Sequence, residues 1–421
     1  MRFAIFRLSS WQQVLIGLVL GIVVGVVFKH NASVLGYLGS IFLNLIKMIT
    51  IPMIFFAILF GITSVETSIG LYRISMKAFA AFFITSVCAV AIGIGAAAIL
   101  KPGSNVSPSI LDAYRTATPQ SFQPQSDSTI MDMLINIIPT NVFEAMASGN
   151  ILQVILFAFF VGVTLNIKHN ECANLIKICH EIAKMLFQAV QMIMKIAPIG
   201  VFGYMASMVG EEGIGIIFSL GELMITIFLG CLAQYIFFGI LIIVWGKLSP
   251  IPFYKKVFGC QMIAFSTSSS KATLVPLMQV AEKNLGVSRQ NSRFLLPLSA
   301  ALNMDGGAIY QGACAIFFAQ MMGVDLSFAN YMTLFFMCTF ASIGGAGIPG
   351  GVLLFLGMVL HSVGLPVEGV LLIASVDRIL DMATTLLNIT GCACVTLLVD
   401  KSEKTLNIKL YNSKSKPNTQ N

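Results

Sequence analysis

The chain has 421 residues, of which 57% are hydrophobic and only 10% charged, and its mean hydropathy is +0.88. Soluble domains carry roughly 25% charged residues, so this composition excludes a soluble enzyme, a disordered chain and a secreted disulfide scaffold. It predicts a polytopic membrane protein, in which the nine cysteines are reduced thiols buried in apolar segments.

Apolar runs of about 20 residues, the length that crosses a bilayer, begin close to the N-terminus. They lie near 12–28, 34–64, 77–100, 150–166, 184–209 and 214–246, and a more broken region extends to about 399. The first run has no convincing small-residue cleavage site, so we interpret it as a retained span and not as a signal peptide. The polar stretch 101–149 is predicted to be an external loop. The polar stretch 401–421 is predicted to be a flexible cytoplasmic tail.

The basic residues that give the chain its net charge of +7 lie on alternate loops. If the N-terminus is inside, nearly all Lys and Arg residues share its side, and the opposite side holds only Lys29, Lys101 and Arg115. This asymmetry follows the positive-inside rule. We therefore expect both termini to be cytoplasmic and the chain to lie in the inner (cell) membrane. The excess positive charge then sets the topology, and no nucleic-acid partner is expected.

Two apolar segments are interrupted at their centres. The first, 257–281, has two arms around a polar tip from Ser266 to Lys271, and the second has arms near 331–341 and 352–360 around a Gly-rich tip. Arms of about nine residues reach only half-way across the hydrocarbon core. Each interrupted segment is followed by a full-length span, 293–320 or 367–399, and this repetition points to a secondary transporter with inverted repeats. Two kinked but complete helices are the alternative.

The two full-length spans carry polar residues where these are costly. Asn303, Asp305 and two glycines near the centre of 293–320 suggest an unwound turn whose oxygens suit a hard cation. In the last span five polar residues fall on one helical stripe, namely Asp377, Asp381, Thr384, Thr385 and Asn388. Ionisable residues at membrane depth are functional by default. The alternative for Arg378, which lies about 100° to one side of the stripe, is a structural ion pair with an aspartate between helices.

Four motifs, in the right order, resemble the glutamate-transporter family, also called dicarboxylate/amino acid:cation symporters. They lie at 268–273, 303–306, 342–350 and 377–388, and the segments 45–48 and 196–202 are similar to the family as well. The resemblance implies a homotrimeric all-α membrane protein with eight transmembrane helices, two re-entrant helical hairpins and inverted repeats. Residues 1–400 would form one transporter unit. A scaffold of about 10–70 and 150–209 would hold a transport domain of about 77–100 and 214–400, which moves like an elevator.

The resemblance also implies the roles of individual residues. Asp381 would bind the amino group of the substrate and Asn388 its α-carboxylate. The other substrate-binding positions would be Ser268, Ser269, Ser270, Ile348, Val352, Thr384 and Thr385. One sodium site would use Thr85, Ser86, Asn303 and Asp305, and a second would use the backbone around Ser342, Ile343 and Gly345.

Two departures from the family concern the substrate. Members that carry acidic substrates have an Arg at the position of Thr384, and a hydroxyl cannot replace that bidentate, charge-assisted pair. A threonine of the same pocket is replaced by Gly307. Both changes indicate a neutral amino acid. Lys271 and Arg378 leave open the alternative of an acidic amino acid or a C4-dicarboxylate, whose side-chain carboxylate either cation could bind.

Two further departures concern the coupling ion. An aspartate that completes one sodium site in the family is Cys392 here, and a thiol is a poor ligand for hard cations. A tyrosine that offers its carbonyl is Phe82, where the backbone oxygen is unchanged. We expect sodium coupling with fewer ions, or proton coupling through Asp377, Asp381 or Asp305, and no other cofactor.

Two other classes of protein are weighed against a transporter. A channel uses rings of ligands along a continuous pore, whereas paired half-segments and an off-centre stripe favour alternating access. A membrane enzyme is disfavoured because no HExxH, GxSxG or Ser/His/Asp grouping is present. His169 and His180 flank Cys172 and Cys179, which leaves a metal site as an alternative to a solvated loop.

Overall fold

The computed structural model describes residues 10–63, 69–104, 138–148, 151–213, 215–344, 351–367 and 369–413. These residues form α-helices, a 3₁₀-helix (Lys29–Leu35), a short π-helix (Ala281–Leu285) and turns, with no strand among them. The helices of the first half are α1 (Ser10–Phe28), α2 (Gly36–Thr63), α3 (Ile69–Leu100), α4 (Val142–Ser148), α5 (Ile151–Ile167), α6 (Ala173–Met194), α7 (Ala197–Glu212) and α8 (Gly215–Val244). Those of the second half are α9 (Pro250–Thr267), α10 (Ser270–Val280), α11 (Arg289–Leu302), α12 (Asp305–Met321), α13 (Phe328–Gly344), α14 (Gly351–Ser362), α15 (Gly369–Ala374), α16 (Asp377–Ser402) and α17 (Ile408–Asn412).

Four helical stretches of the described chain are long and apolar enough to cross a membrane. They are Gln12–Ile46, Arg73–Leu100, Ile217–Val244 and Asp377–Ser402. A fifth span results if α6 and α7, which meet at 48°, are taken as one. The helical membrane class is thereby confirmed, while the eight spans and the inverted repeats stay predictions.

The span predicted at 184–209 is broken in the structure. α6 ends at Met194 and α7 begins at Ala197, with Pro198 in the first turn of the new helix. Proline lacks a backbone N–H and disfavours the helical conformation of the residue before it, so the break falls directly upstream of Pro198. A window of apolar residues cannot show such a break.

Glycines allow α1 and α7 to approach closely. Gly17, Gly21 and Gly25 are spaced by four residues and therefore share one face of α1. A Cβ atom at Gly17 would lie 2.4 Å from the carbonyl oxygen of Pro198, and one at Gly25 would lie 2.8 Å from that of Ala206. Small residues at this spacing are typical of helix contacts inside membranes.

α16 is the central helix of the fold. In the most apolar stretch of α16, 83% of the residues are buried, against 33% in that of α3 and 39% in that of α8. α16 packs against α3, α8, α9, α11 and α12. A second group of helices packs together, namely α1, α2, α5, α6 and α7. Thr384, Thr385 and Asn388 of the polar stripe therefore face protein, whereas Asp377 and Asp381 are only partly buried. The division into scaffold and transport domain stays a prediction.

The segment that follows α16 is folded. Residues 401–413 form the end of α16, a turn and α17, and Tyr411 in α17 is fully buried. The prediction of a flexible tail is therefore wrong for 401–413, because one aromatic residue in a polar stretch anchors it. Residues 414–421 lie outside the described chain.

Glu403, the first residue after α16, binds two cations at the start of α3. Its carboxylate accepts a hydrogen bond of 2.6 Å from Lys77 Nζ and is also paired with Arg73. The hydrogen bond from Lys77, with a smaller contribution from Arg73, lowers the pKa of Glu403. A carboxylate with a lowered pKa stabilises the fold above its unfolded pKa of about 4.3, and this stabilisation is lost as the pH falls through the folded pKa.

We expect Glu403→Gln to lower the stability of the protein at pH 7 by less than about 1 kcal/mol, because water screens the exposed side chains of Arg73 and Lys77. Thermal unfolding in detergent at pH 7 and at pH 4 would measure this. The difference between the two proteins should shrink at the lower pH. An equal difference at both pH values would show that the charge of Glu403 is not the cause.

Candidate substrate and cation site

Asn303 and Met304 form the break between α11 and α12. Asn303 has an extended backbone, with φ −115° and ψ 92°, and α12 begins at Asp305. The predicted unwound turn is thus confined to two residues, and both of its glycines belong to α12. A Cβ atom at Gly306 would lie 2.5 Å from the carbonyl oxygen of Thr384. The missing side chain at 306 therefore lets α12 lie directly on α16.

The carboxylate of Asp305 is the centre of a buried polar cluster. Oδ1 lies 3.0 Å from the hydroxyl of Ser86 and 3.3 Å from that of Thr85, and both hydroxyls donate to it. Thr85 also lies 3.2 Å from Oδ1 of Asn303. The amide of Gln234 on α8 donates to Oδ2 over 3.4 Å. The structure therefore brings together all four residues predicted for the first sodium site.

The charge of this buried cluster requires neutralisation. Asp305 is fully buried, and it takes part in none of the ion pairs found in the described chain. A buried carboxylate is costly unless a proton or a cation neutralises it. Within the same part of the chain, Oε1 of Gln234 has no hydrogen-bond partner. Oxygens are the ligands that hard cations prefer, so the cluster has the chemistry of a sodium site.

Residues predicted for the second sodium site start beside this cluster. The hydroxyl of Ser342 near the end of α13 shares a hydrogen bond of 3.2 Å with that of Ser86. The backbone of Ile343 follows in the same helix. Gly345 and the predicted substrate residue Ile348 lie outside the described residues. α13 thus reaches the Asp305 cluster through its last turn.

Hydrogen bonds from α12 and from within α16 fix the polar stripe of α16. Asp377 accepts a hydrogen bond of 2.9 Å from the hydroxyl of Tyr310 on α12. Thr385 donates to Oδ1 of Asp381 over 3.4 Å, and Thr384 donates to the backbone carbonyl of Asp381 over 3.3 Å. Thr384 is fully buried, whereas the side chain of Asp381 is 24% exposed. Asp381 is therefore accessible, and Asp377, the other acid of the stripe, is also only partly buried.

Asn388 fastens α16 to the helix break. Its Oδ1 accepts a hydrogen bond of 2.8 Å from the backbone N–H of Gly306, and its Nδ2 lies 3.1 Å from the sulfur of Met304. The predicted binding of a substrate carboxylate by Asn388 stays a prediction. The amide of Asn388 therefore lies at the break between α11 and α12.

Arg378 pairs within its own helix. Its guanidinium lies 3.7 Å from the carboxylate of Asp381, three residues further along α16, and donates to the backbone carbonyl of Thr267 over 3.4 Å. The predicted alternative of an ion pair between helices is therefore replaced by a pair inside α16. Through Thr267, Arg378 also contacts the end of α9.

The turn between α9 and α10 is the predicted first hairpin tip. Ser268 ends α9 in the left-handed conformation, with φ 48° and ψ 40°. Ser269 caps α10 by accepting a hydrogen bond of 3.2 Å from the N–H of Ala272, and Ser270 begins that helix. The hydroxyl oxygen of Ser268 is buried and unpartnered in the described structure. Two residues thus join two helices that pack on each other.

Lys271 extends towards another helix. Its ammonium lies 5.5 Å from the ring centre of Phe187 on α6, a distance at which a cation is attracted to the face of an aromatic ring. Phe187 in turn packs against Phe60 of α2, with ring centres 6.0 Å apart. This contact provides Lys271 with a role other than substrate binding.

Three polar residues of the site were not predicted. Gln234 lies next to Asp305, Tyr310 binds Asp377, and Gln311 donates to the carbonyl of Val352 over 3.3 Å. Each is polar within an otherwise apolar helix. Because a polar residue is costly inside a membrane, its presence in the sequence indicates a functional position. The signal was overlooked for Gln234 because α8 lies outside the four motifs.

The alternative metal site at the start of α6 finds no support. No group of three or more His, Cys, Asp and Glu side chains that could hold a metal occurs in the described chain. Nε2 of His180 lies 2.8 Å from the hydroxyl of Thr63 and shares a hydrogen bond with it. His180 thus pairs with α2.

The fold and the site define a helical membrane protein with charged and polar residues gathered at the breaks of its helices. The sequence profile of the sodium:dicarboxylate symporter family matches residues 11–402. The chain belongs to this family, whose members are transporters.

Relatives are similar over nearly their full length. A proton/sodium-glutamate symport protein of Bacillus subtilis (strain 168) is 31% identical over 94% of this chain and 93% of its own. A protein of the same name from Bacillus caldotenax is 33% identical over 94% of both chains. A C4-dicarboxylate transport protein of Edwardsiella ictaluri (strain 93-146) is 33% identical over 98% of this chain and 97% of its own. The predicted family is therefore confirmed.

Proposed function

We propose that the protein is a secondary-active amino acid:cation symporter of the inner (cell) membrane that carries neutral amino acids. The observation that carries the proposal is the exposure of Asp381 beside a buried Thr384. The Asp381 carboxylate is 24% exposed and suits the ammonium group of an amino acid. Thr384 offers only a hydroxyl at the position where a basic residue would bind a second carboxylate.

The second candidate substrate is an acidic amino acid or a C4-dicarboxylate. The names of the relatives favour it, and so does Arg378, whose side chain is 29% exposed next to Asp381. Lys271 supports it less, because its ammonium lies over Phe187.

Uptake of alanine, serine, aspartate and glutamate into proteoliposomes under an inward sodium gradient would separate the candidates. Uptake of only the acidic pair would contradict the neutral assignment.

Thr384→Arg is expected to raise the ratio of aspartate to alanine uptake by about tenfold, the effect of one charge-assisted hydrogen bond. At Gly307, which the family resemblance assigns to the same pocket, an added Cβ atom would lie no nearer than 3.5 Å to another group, so this position leaves room. Initial uptake rates of both amino acids provide the measurement. Thr384→Leu is the matched control, because it fills the space without a charge. An unchanged ratio in the Arg variant would show that residue 384 does not face the side chain of the substrate.

For the coupling ion we propose sodium bound at the Asp305 cluster, with fewer ions than the family uses because Cys392 replaces a carboxylate ligand. The buried oxygens of Thr85, Ser86, Asn303 and Asp305 support this assignment. Proton coupling through Asp305, Asp377 or Asp381 is the alternative. Uptake that a pH gradient drives fully in the absence of sodium would contradict sodium coupling.

The mode of transport and the assembly are part of the same proposal. We expect a homotrimer with both termini cytoplasmic, in which a transport domain slides along a scaffold. The close contact of α1 with α7 supports a rigid scaffold, since glycine-lined helix pairs pack tightly. Mass measurement of the purified protein in detergent would test the trimer.

A further inference from the structure

The segment after α16, residues 403–413, lies against the start of α9 and against residues 281–286, which follow α10. α9 and α10 form the hairpin that carries Ser268–Ser270 at its tip. The contacts of 403–413 involve two buried charges and one buried tyrosine, which is more than a solvent-exposed tail requires. We call this segment the C-terminal clasp.

Lys256 on α9 is the first buried charge. It is 7% exposed, and its ammonium donates three hydrogen bonds to backbone carbonyls. The acceptors are Asn284 at 3.0 Å, Leu410 at 2.9 Å and Tyr411 at 2.7 Å. An ammonium group has three N–H donors, so both the hairpin and the clasp are needed to satisfy it.

Tyr411 and Asn407 provide the next contacts. The fully buried Tyr411 donates its hydroxyl to the carbonyl of Ser249 over 2.7 Å. The N–H of Asn407 donates to the carbonyl of Gly286 over 2.9 Å. Gly286 has φ +80°, and a Cβ atom there would lie 2.5 Å from the carbonyl oxygen of Asn407. The loop after α10 is thus shaped to receive the clasp.

Asp400 near the end of α16 is the second buried charge. It is fully buried and accepts hydrogen bonds from Ser288 Oγ at 2.7 Å, Asn291 Nδ2 at 2.7 Å and Thr405 Oγ1 at 2.6 Å. The backbone N–H of Ser288 adds a fourth at 3.2 Å. One carboxylate therefore joins α16, the start of α11 and the start of the clasp.

We propose that the C-terminal clasp is a positioning device, which fixes the root of the α9–α10 hairpin to α16 and thereby places the tip Ser268–Ser270 opposite the polar stripe. α9 has 18 residues, so its root and tip are roughly 27 Å apart. A tilt of only about 2° at the root then moves the tip by about 1 Å, a displacement that weakens site geometry strongly. The role of the tip in substrate binding rests on the proposed function, whereas the fixation of the root does not.

Hydrogen exchange read by mass spectrometry tests the fixation of the root. Three variants weaken the clasp, namely deletion of 404–421, Lys256→Met and Tyr411→Phe, and deletion of 414–421 is the control that leaves it in place. We expect amides of 281–292 to exchange about tenfold faster in the clasp variants, because losing a hydrogen bond to a charged group favours local opening. Amides of 166–176, between α5 and α6, should be unchanged. Tyr411→Phe, which keeps the buried ring, should show the smallest effect.

Substrate uptake by the same variants tests the effect on the tip. With a displaced tip the KM of the transported amino acid should rise about fivefold or more while the maximal rate changes less. Unchanged exchange at 281–292 after deletion of 404–421 would overturn the proposal, and so would an equal increase at 166–176, which indicates general destabilisation. An unchanged KM beside faster exchange would overturn the positioning of the tip. If the full chain carries no amino acid, the proposed function fails, and the exchange result still decides whether the clasp fixes the root.

Discussion

Asp381→Asn should lower amino-acid uptake by at least about a hundredfold, the effect of removing one partner of a charge pair. Asn has nearly the same shape as Asp and keeps an oxygen for the hydroxyl of Thr385, which lies 3.4 Å away. The cost to the fold should be small, since Arg378, 3.7 Å away, is 29% exposed and can be hydrated. Initial uptake rates in proteoliposomes, with the size-exclusion profile as a check of assembly, provide the measurement.

Asp325→Asn is the matched control for this prediction. Asp325 lies at the exposed turn after α12, far along the chain from the stripe, and the same chemical change there should leave uptake intact. Near-normal uptake by Asp381→Asn would contradict the assignment of Asp381 to the ammonium group. Loss of uptake in both variants would point to a general effect of net charge.

The second large effect is expected for Asp305→Asn, which removes the only charge of the buried cluster. Stabilisation of the protein by sodium should disappear: a ligand at 100 times its Kd stabilises the folded state by about 2.7 kcal/mol. The new side chain can keep its oxygen towards Nε2 of Gln234, which lies 3.4 Å from the carboxylate and also donates to the carbonyl of Thr85. Its NH₂ group would then face the hydroxyls of Thr85 and Ser86, and a hydroxyl can accept a hydrogen bond as well as donate one. The variant should therefore fold.

Thermal unfolding in NaCl and in choline chloride of equal concentration measures this prediction. The wild-type protein should unfold at a higher temperature in NaCl, and Asp305→Asn should unfold at the same temperature in both salts. Asp325→Asn again serves as the control and should behave like the wild type. If NaCl raises the unfolding temperature of Asp305→Asn as much as that of the wild type, the cation binds elsewhere. The Asp305 cluster would then not be the sodium site of transport.

Much of the candidate site could be predicted from the sequence, because polar groups are rare in apolar helices. Asp305, Asp381 and Asn388 stand out for this reason, and the structure places the predicted sodium residues Thr85, Ser86 and Asn303 around Asp305. Gln234 carries the same signal but was overlooked. Which acid would be accessible could not be predicted, since exposure depends on how neighbouring helices pack.

The sequence could not predict the contacts of Arg378, Lys271 and the C-terminal clasp. By charge alone, Lys271 and Arg378 are equally suited to bind a substrate carboxylate. Only the fold shows that Lys271 lies over Phe187 while Arg378 lies beside Asp381. The segment 401–413 has a polar composition typical of a solvated tail. Its docking depends on Lys256 and Gly286, which are more than a hundred residues away in the chain.

The sequence by itself determined the membrane setting, the family and the identity of the polar residues, because the bilayer limits hydrophobic length and makes each buried charge rare. Only the tertiary structure decided how those residues meet. The break of α6 and α7, the pairing of Arg378 within α16 and the docking of the clasp follow from contacts between distant segments. Such contacts depend on the shapes of packed helices and on the pairing of individual donors and acceptors, and neither property can be read from local composition.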